Sequence, residues 1–234
     1  MKTAVLCTAV AGLIAATAGA ANITWQTPLT ISGTADVSIT GSLFGTWAPG
    51  DDYYASGIYT VNGVEFLTYG TPGVNFGVSS ADSGNPINMD RYNGFGNPNT
   101  ADSNYNSLLQ VAMFNWSSPN PINLSWDSMT VGHTYLFEAW LNDGRSGHSG
   151  SSVFTGGTSA SNPVLIGDGA PGQYITGTFV ADNSSQSVVM SAGIMLNLVQ
   201  VRDITPTPEP STLAFLAIGT GALVIGYRRK KRTT

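Results

Sequence analysis

Apolar and polar positions alternate through much of the chain with the two-residue period of β-strands. In Tyr135-Leu136-Phe137-Glu138-Ala139-Trp140-Leu141, Tyr135, Phe137, Ala139 and Leu141 share one face, and Glu138 and Trp140 lie on the other. Residues 173–181 set Ile175, Gly177 and Phe179 opposite Thr176 and Thr178, and residues 122–126 alternate in the same way. Ile58-Tyr59-Thr60-Val61 and Val64-Glu65-Phe66-Leu67 flank Asn62-Gly63, the pair suited to a type I′ hairpin turn because both positions need φ > 0. Residues 23–26 and 36–40 are predicted as opening strands, and 188–190 and 194–201 are apolar enough for central ones. Two stretches break the pattern. Residues 79–102, dense in Gly, Asn, Pro, Ser and Asp, predict a long loop and a subdomain boundary. In 104–114, Asn104 is placed to cap one or two helical turns starting near Tyr105, with Leu108, Leu109 and Ala112 inward; residues 111–114 read equally well as strand.

Both ends of the chain replace alternation with continuous apolar runs. After Met1-Lys2, residues 4–16 are apolar and helix-prone, and Ala18-Gly19-Ala20 has the small-x-small pattern of a signal-peptidase site. Cleavage is expected after Ala20, or else after Ala21, with an uncleaved anchor as the alternative. Export through the Sec translocon follows from this reading. At the other end, Thr205-Pro206-Thr207-Pro208-Glu209-Pro210 is neither helix nor central strand, because each Pro fixes φ and removes a donor. Residues 212–227 then carry no charge. As a helix they span roughly 24 Å against roughly 30 Å of hydrocarbon, a short transmembrane helix that snorkelling or bilayer thinning makes workable. Arg228, Arg229, Lys230, Lys231 and Arg232 follow and are expected to stay cytoplasmic.

Pro208-Glu209-Pro210, a short apolar helix and an Arg-rich terminus, in that order, resemble the PEP-CTERM sorting signal of Gram-negative bacteria. The resemblance implies recognition of the tripeptide by an exosortase, an inner-membrane precursor, and delivery of the processed protein to the cell surface or an extracellular polysaccharide matrix. Residues 105–203 resemble the β-sandwich ectodomains often joined to such tails, and are distantly similar to fibronectin-III or carbohydrate-binding jelly-roll sandwiches. The expected architecture is therefore mainly β. A signal helix occupies 1–20. An antiparallel β-sandwich of jelly-roll or fibronectin-III type occupies 21–205, and a sorting segment at 206–232 carries a transmembrane helix at about 212–227.

Charge sharpens this division. Lys2 belongs to the signal and five cations to the tail, leaving Arg91, Arg145 and Arg202 against thirteen acidic residues across 22–205, a net charge of −10. Such a surface repels nucleic acid. Cys7 is the only cysteine, so the exported part forms no disulfide.

Candidate chemistry is sparse. The five tryptophans all fall between the terminal segments; for each, core packing is the first expectation, although indole faces also stack on sugar rings. As the alternative to core packing, Trp47, in Gly45-Thr46-Trp47-Ala48-Pro49-Gly50, is the one placed to be exposed and Trp140 the one placed to be half exposed; these are the candidate glycan contacts. Glu65 and Glu138 are a conceivable glycosidase pair, since that chemistry needs two placed carboxylates, but alternation turns both toward solvent. Asp51 and Asp52, with Asp82 in the 79–102 loop, are candidate calcium ligands, although no EF-hand-type spacing is present. His133 and His148 read as ordinary turn residues, and Gly147-His148-Ser149-Gly150 lacks the final glycine of a nucleophile elbow. No catalysis and no cofactor other than calcium is expected. The resulting expectation is a structural or adhesive surface protein, with a glycan-binding module as the alternative and a glycoside hydrolase behind it.

Overall fold

The computed structural model describes residues 19–20, 22–49, 57–68, 75–80, 98–115, 121–145, 150–157, 159–160, 164–166, 171–191 and 194–207. The chain divides into two compact units, Met1–Ile204 and Thr205–Thr234. The predicted signal helix up to residue 18, Ala21, most of the 79–102 loop, the PEP tripeptide and the segment 212–232 lie outside the described residues. Among the described residues no helix is long and apolar enough to cross a membrane.

In chain order the strands are β1 Gly19–Ala20, β2 Thr24–Trp25, β3 Leu29–Thr30, β4 Ser42–Trp47, β5 Gly57–Val61, β6 Val64–Thr68 and β7 Phe76–Ser80. Helix α1, Ser103–Leu109, precedes β8 Met113–Asn115, β9 Ile122–Trp126, β10 Thr134–Leu141, β11 Gly150–Gly156, β12 Ser159–Ala160 and β13 Val164–Ile166. The remainder are β14 Gln173–Val180, β15 Gln186–Ser191, β16 Ile194–Leu196 and β17 Leu198–Asp203. Among the described residues, the first sheet runs β12-β11-β15-β9-β7, with β1 beside β15 and β13 beside β11; the second runs β2-β14-β10-β17-β4, with β3 also on β14; β8 with β16 and β5 with β6 form two-stranded sheets. Among the described strands, ladders are antiparallel except between β1 and β15, where Ala20 lies opposite Ser187, and an isolated parallel bridge joins Ala48 to Thr68. Cleavage after Ala20 would remove β1 with the signal.

The alternation in β10, β14 and β9 has the consequence expected of it. Phe137, Ala139, Ile175 and Phe179 from one sheet and Leu124, Trp126, Val188 and Met190 from the other belong to one buried core. Phe137 meets Trp126 edge-on at 5.5 Å across the sheets. Gly177 is required here, because a Cβ on it would lie 2.4 Å from the Ile23 side chain and 2.9 Å from the Trp25 ring that pack over it.

The second sheet is covered on its other face as well. A separate buried cluster joins Trp140 and Leu198 on that face to Ile31 and Val37, to Val61, Val64 and Phe66 of the β5–β6 hairpin, and to Tyr105, Leu108 and Leu109 of α1. The hairpin turns through Asn62 and Gly63 at φ 49° and 75°, as the Asn-Gly pair demands. Both readings of 104–114 are realised in succession, helix then strand. The cap is Asp102, not Asn104: the Asp102 carboxylate accepts from the Tyr105 amide at 2.8 Å, while the Asn104 side chain reaches across to the Thr60 carbonyl. Asp102→Ala should cost about 1 kcal/mol, read as a shift in the urea midpoint. At the other end of α1, the Leu109 carbonyl accepts from both Asn142 and Asn197, which answers the open acceptors of a helix C-terminus. Residues 36–40, expected as a strand, instead finish a 3-10 turn at Thr34–Asp36 and continue without a ladder. The Asp36 carboxylate turns back onto the amides of Ser32 and Gly33 and competes with extended pairing.

Candidate functional site

The most elaborated polar site lies on the covered face of the second sheet. Three cross-strand rows build it. Glu138 stands between Thr176 and Gln200, Trp140 between Tyr174 and Leu198, and Leu136 between Thr178 and Arg202. Residues 31–41 cross over these rows. The Ser38 amide donates to the Glu138 carboxylate at 3.3 Å. Gln200 Nε2 donates to the same carboxylate oxygen and to the Ser38 carbonyl, the latter at 3.1 Å. The Arg202 guanidinium donates to the carbonyls of Thr40 at 2.8 Å, Gly41 at 2.9 Å and Ile39 at 3.2 Å. Asp36 is held by the Ser32 amide at 2.7 Å, the Ser32 hydroxyl at 2.8 Å and the Gly33 amide at 2.9 Å.

Burial governs the electrostatics. Glu138 is only 3% exposed. Its loss of hydration pushes the carboxyl from about 4.5 up to about 7, against the hydrogen bonds from Gln200 and Ser38 and the charge of Arg202, with Asp36 adding a smaller upward push. Burial raises the Tyr174 phenol too, and the nearby Asp36 and Glu138 charges raise it further. Burial lowers the Arg202 guanidinium, and Glu138 opposes that. Among the described residues, Gln200 Oε1 is buried without a hydrogen-bond partner. Above this network opens a cleft of about 340 Å³ whose lining includes Asp36, Ser38, Glu138, Tyr174 and Thr176. Tyr174 lies nearly parallel to Trp140, their ring centroids 6.1 Å apart and their planes 19° apart.

Both indoles take the core placement and not the exposed alternative. Trp47 is 1% exposed, because β4 runs through this segment and turns the ring into the core against Phe76 at 5.8 Å. Trp140 is fully buried, because α1, the hairpin and residues 31–37 cover the face that alternation alone leaves to solvent. The same cover buries Glu138. Glu65 stays exposed on β6 and lines a different, largely apolar cleft of about 410 Å³ with Leu43, Ile58 and Leu67. The two glutamates therefore do not face each other across one cleft. His133 pairs with Asp203 at 2.7 Å beside the last strand. His148, Ser149 and the calcium candidates Asp51, Asp52 and Asp82 lie outside the described residues; among the described residues no group of three His, Cys, Asp or Glu side chains gathers.

Sequence reasoning named Glu138 but passed over Gln200, Arg202 and Tyr174. The available signal was the interruption of the apolar strand β17 by Gln200 and Arg202, since a polar side chain in a strand paired on both sides has to be answered from the neighbouring layer.

Comparison with known proteins bears on the tail. Residues 206–231 match the family model of the PEP-CTERM protein-sorting motif. No curated protein and no solved structure matches the chain.

Proposed function

We propose that this chain, a carrier of the PEP-CTERM protein-sorting motif, is an exported surface or extracellular-matrix protein with a structural or adhesive role, released from the inner membrane by processing at or near Pro208-Glu209-Pro210. The match at 206–231 is the observation that carries the reading. The motif implies exosortase-dependent sorting to the extracellular side, with exosortase as the processing partner. The apolar segment 4–16 and the small-x-small site ending at Ala20 support entry through the Sec translocon and signal peptidase. Residues 212–227 serve as the temporary anchor, with Arg228 to Arg232 on the cytoplasmic side.

The two sheets sharing one core support a β-sandwich for the exported part. Its winding favours the jelly-roll alternative over fibronectin-III: β9 to β10, β10 to β11, β14 to β15 and β15 to β17 each cross from one sheet to the other. Glu138 is tied to the residues around it and Glu65 is remote from its cleft, which supports a domain that works by contact and not by turnover.

Processing is tested by mass spectrometry of the surface fraction from a host that carries an exosortase. The mature protein is expected to lack Arg228 to Arg232, and Glu209→Ala to leave them attached in the membrane fraction. A wild-type surface protein that retains the basic terminus overturns the reading.

A further inference from the structure

We infer that the cleft over Glu138 is a saccharide subsite in which Tyr174 is the stacking surface, and that it takes neutral or amino sugars in preference to uronic acids. The inference deepens the adhesive reading above and rests on it for the setting in which sugars are met. The cleft's volume of about 340 Å³ suits a small ring-shaped ligand and not a macromolecular surface.

Tyr174 supplies the aromatic element. It is half-buried and lines the cleft, and the fully buried Trp140 ring lies parallel to it. A ring braced in this way loses little freedom when a ligand lands on it. Two apolar side chains border the same cleft in exposed positions: Leu29, the cross-strand partner of Tyr174, is 52% exposed, and Ile39 is 62% exposed. The Tyr174 ring, with apolar side chains and hydroxyl and amide groups around it, matches the apolar faces and equatorial hydroxyls of a pyranose. Ser38, Thr40, Asn62 and Thr176 provide neutral polar groups, and the buried Glu138 carboxyl lies behind them in the wall.

Charge sets the preference. Asp36 and Glu138 both line the cleft and both act on Tyr174. Arg202 offers its N–H groups to the backbone carbonyls of residues 39–41. A uronic acid would bring its carboxylate toward Asp36 and, above about pH 7, toward an ionised Glu138 as well, whereas an amino sugar would bring a compensating cation. The clamp made by Gln200, Glu138 and Ser38 holds the wall of the cleft in place before any ligand arrives.

The test is calorimetric titration of the full-length protein in detergent with three probes of equal length: cellotetraose, a glucosamine tetramer and a galacturonate tetramer. One of the first two is expected to bind at least about tenfold more tightly than the galacturonate. Tyr174→Ala should weaken that binding by about tenfold, whereas Tyr174→Phe, which keeps the ring, should change it by less than about threefold. Leu29→Asp, at an exposed rim position, is the control against a folding defect in Tyr174→Ala and should weaken the neutral probe. Absence of binding by all three probes overturns the inference, as does preference for galacturonate or undiminished binding in both Tyr174→Ala and Leu29→Asp. Because the titration does not involve processing, a negative result leaves the sorting reading standing, and a failure of processing leaves the subsite standing.

Discussion

Alanine at Phe137 is expected to destabilise the folded unit by about 3–5 kcal/mol, the range for deleting a buried aromatic ring. Phe137 is fully buried on β10 and is one of the rings through which the two sheets meet, with Trp47 against Phe76 and Trp25 against Phe154. It stands edge-on to Trp25 at 5.7 Å and to Trp126 at 5.5 Å, and packs against Phe154 at 5.9 Å. Trp126 and Phe154 belong to the opposing sheet, so the cavity would open between layers and not within one. The surrounding side chains are large, and each is anchored in its own strand, which limits collapse into the void. Urea unfolding followed by tryptophan fluorescence measures the loss. Phe137→Leu, which refills part of the volume, should recover a substantial share. A loss below about 1 kcal/mol for the alanine variant would mean that Phe137 does not join the two layers as described.

The second large effect is one of pH. Glu138 keeps its proton to about 7 in the folded chain, against about 4.5 for an ordinary glutamate. Between those values the folded state holds a proton that the unfolded state has lost, so stability falls as pH rises through the window. Below it both states are protonated. Above it both are ionised, and the buried charge costs about 3 kcal/mol by the conversion of the shift to energy. Glu138→Gln is therefore expected to flatten the decline between pH 4.5 and 7 and to exceed the parent in stability at pH 8, because a neutral amide still accepts from Ser38 and Gln200. The difference between the two unfolding curves isolates this residue from other titrating groups. Parallel curves for the two proteins would rule out Glu138 as the source.

Much of the central β-structure could be read from alternation, and the reason is physical. β9, β10 and β14 each present one face to a shared core, so their apolar positions repeat every second residue. What alternation cannot tell is whether the other face meets water. Here residues 31–37, the β5–β6 hairpin and α1 cover it, and these segments are remote in sequence from Trp140 and Glu138. Alternation puts both side chains on the correct face, but it turns Glu138 toward solvent, where the structure buries it. Strands such as β4 (Ser42–Trp47) and β11 (Gly150–Gly156) were missed because Gly, Ser and Thr dilute their apolar signal; neighbouring strands, not intrinsic preference, hold them extended. The candidate site was half visible for the same reason. Glu138 stood out as an acid in an apolar strand, but its partner Gln200 depends on the register of β10 with β17, and Ser38 reaches it only from the strap over 31–41.

The position of β17 has a mechanical consequence. The strand that leads to the tail is hydrogen-bonded on both sides, to β10 and to β4. Its end is fastened by the Ile204 amide on the Thr134 carbonyl and by the Asp203–His133 pair. Freeing β17 therefore means breaking two ladders, whereas an edge strand gives up only one. The first unit thus closes on one of its best-secured strands, and fraying that starts at its last residues is stopped by bonds on both sides before it reaches the core.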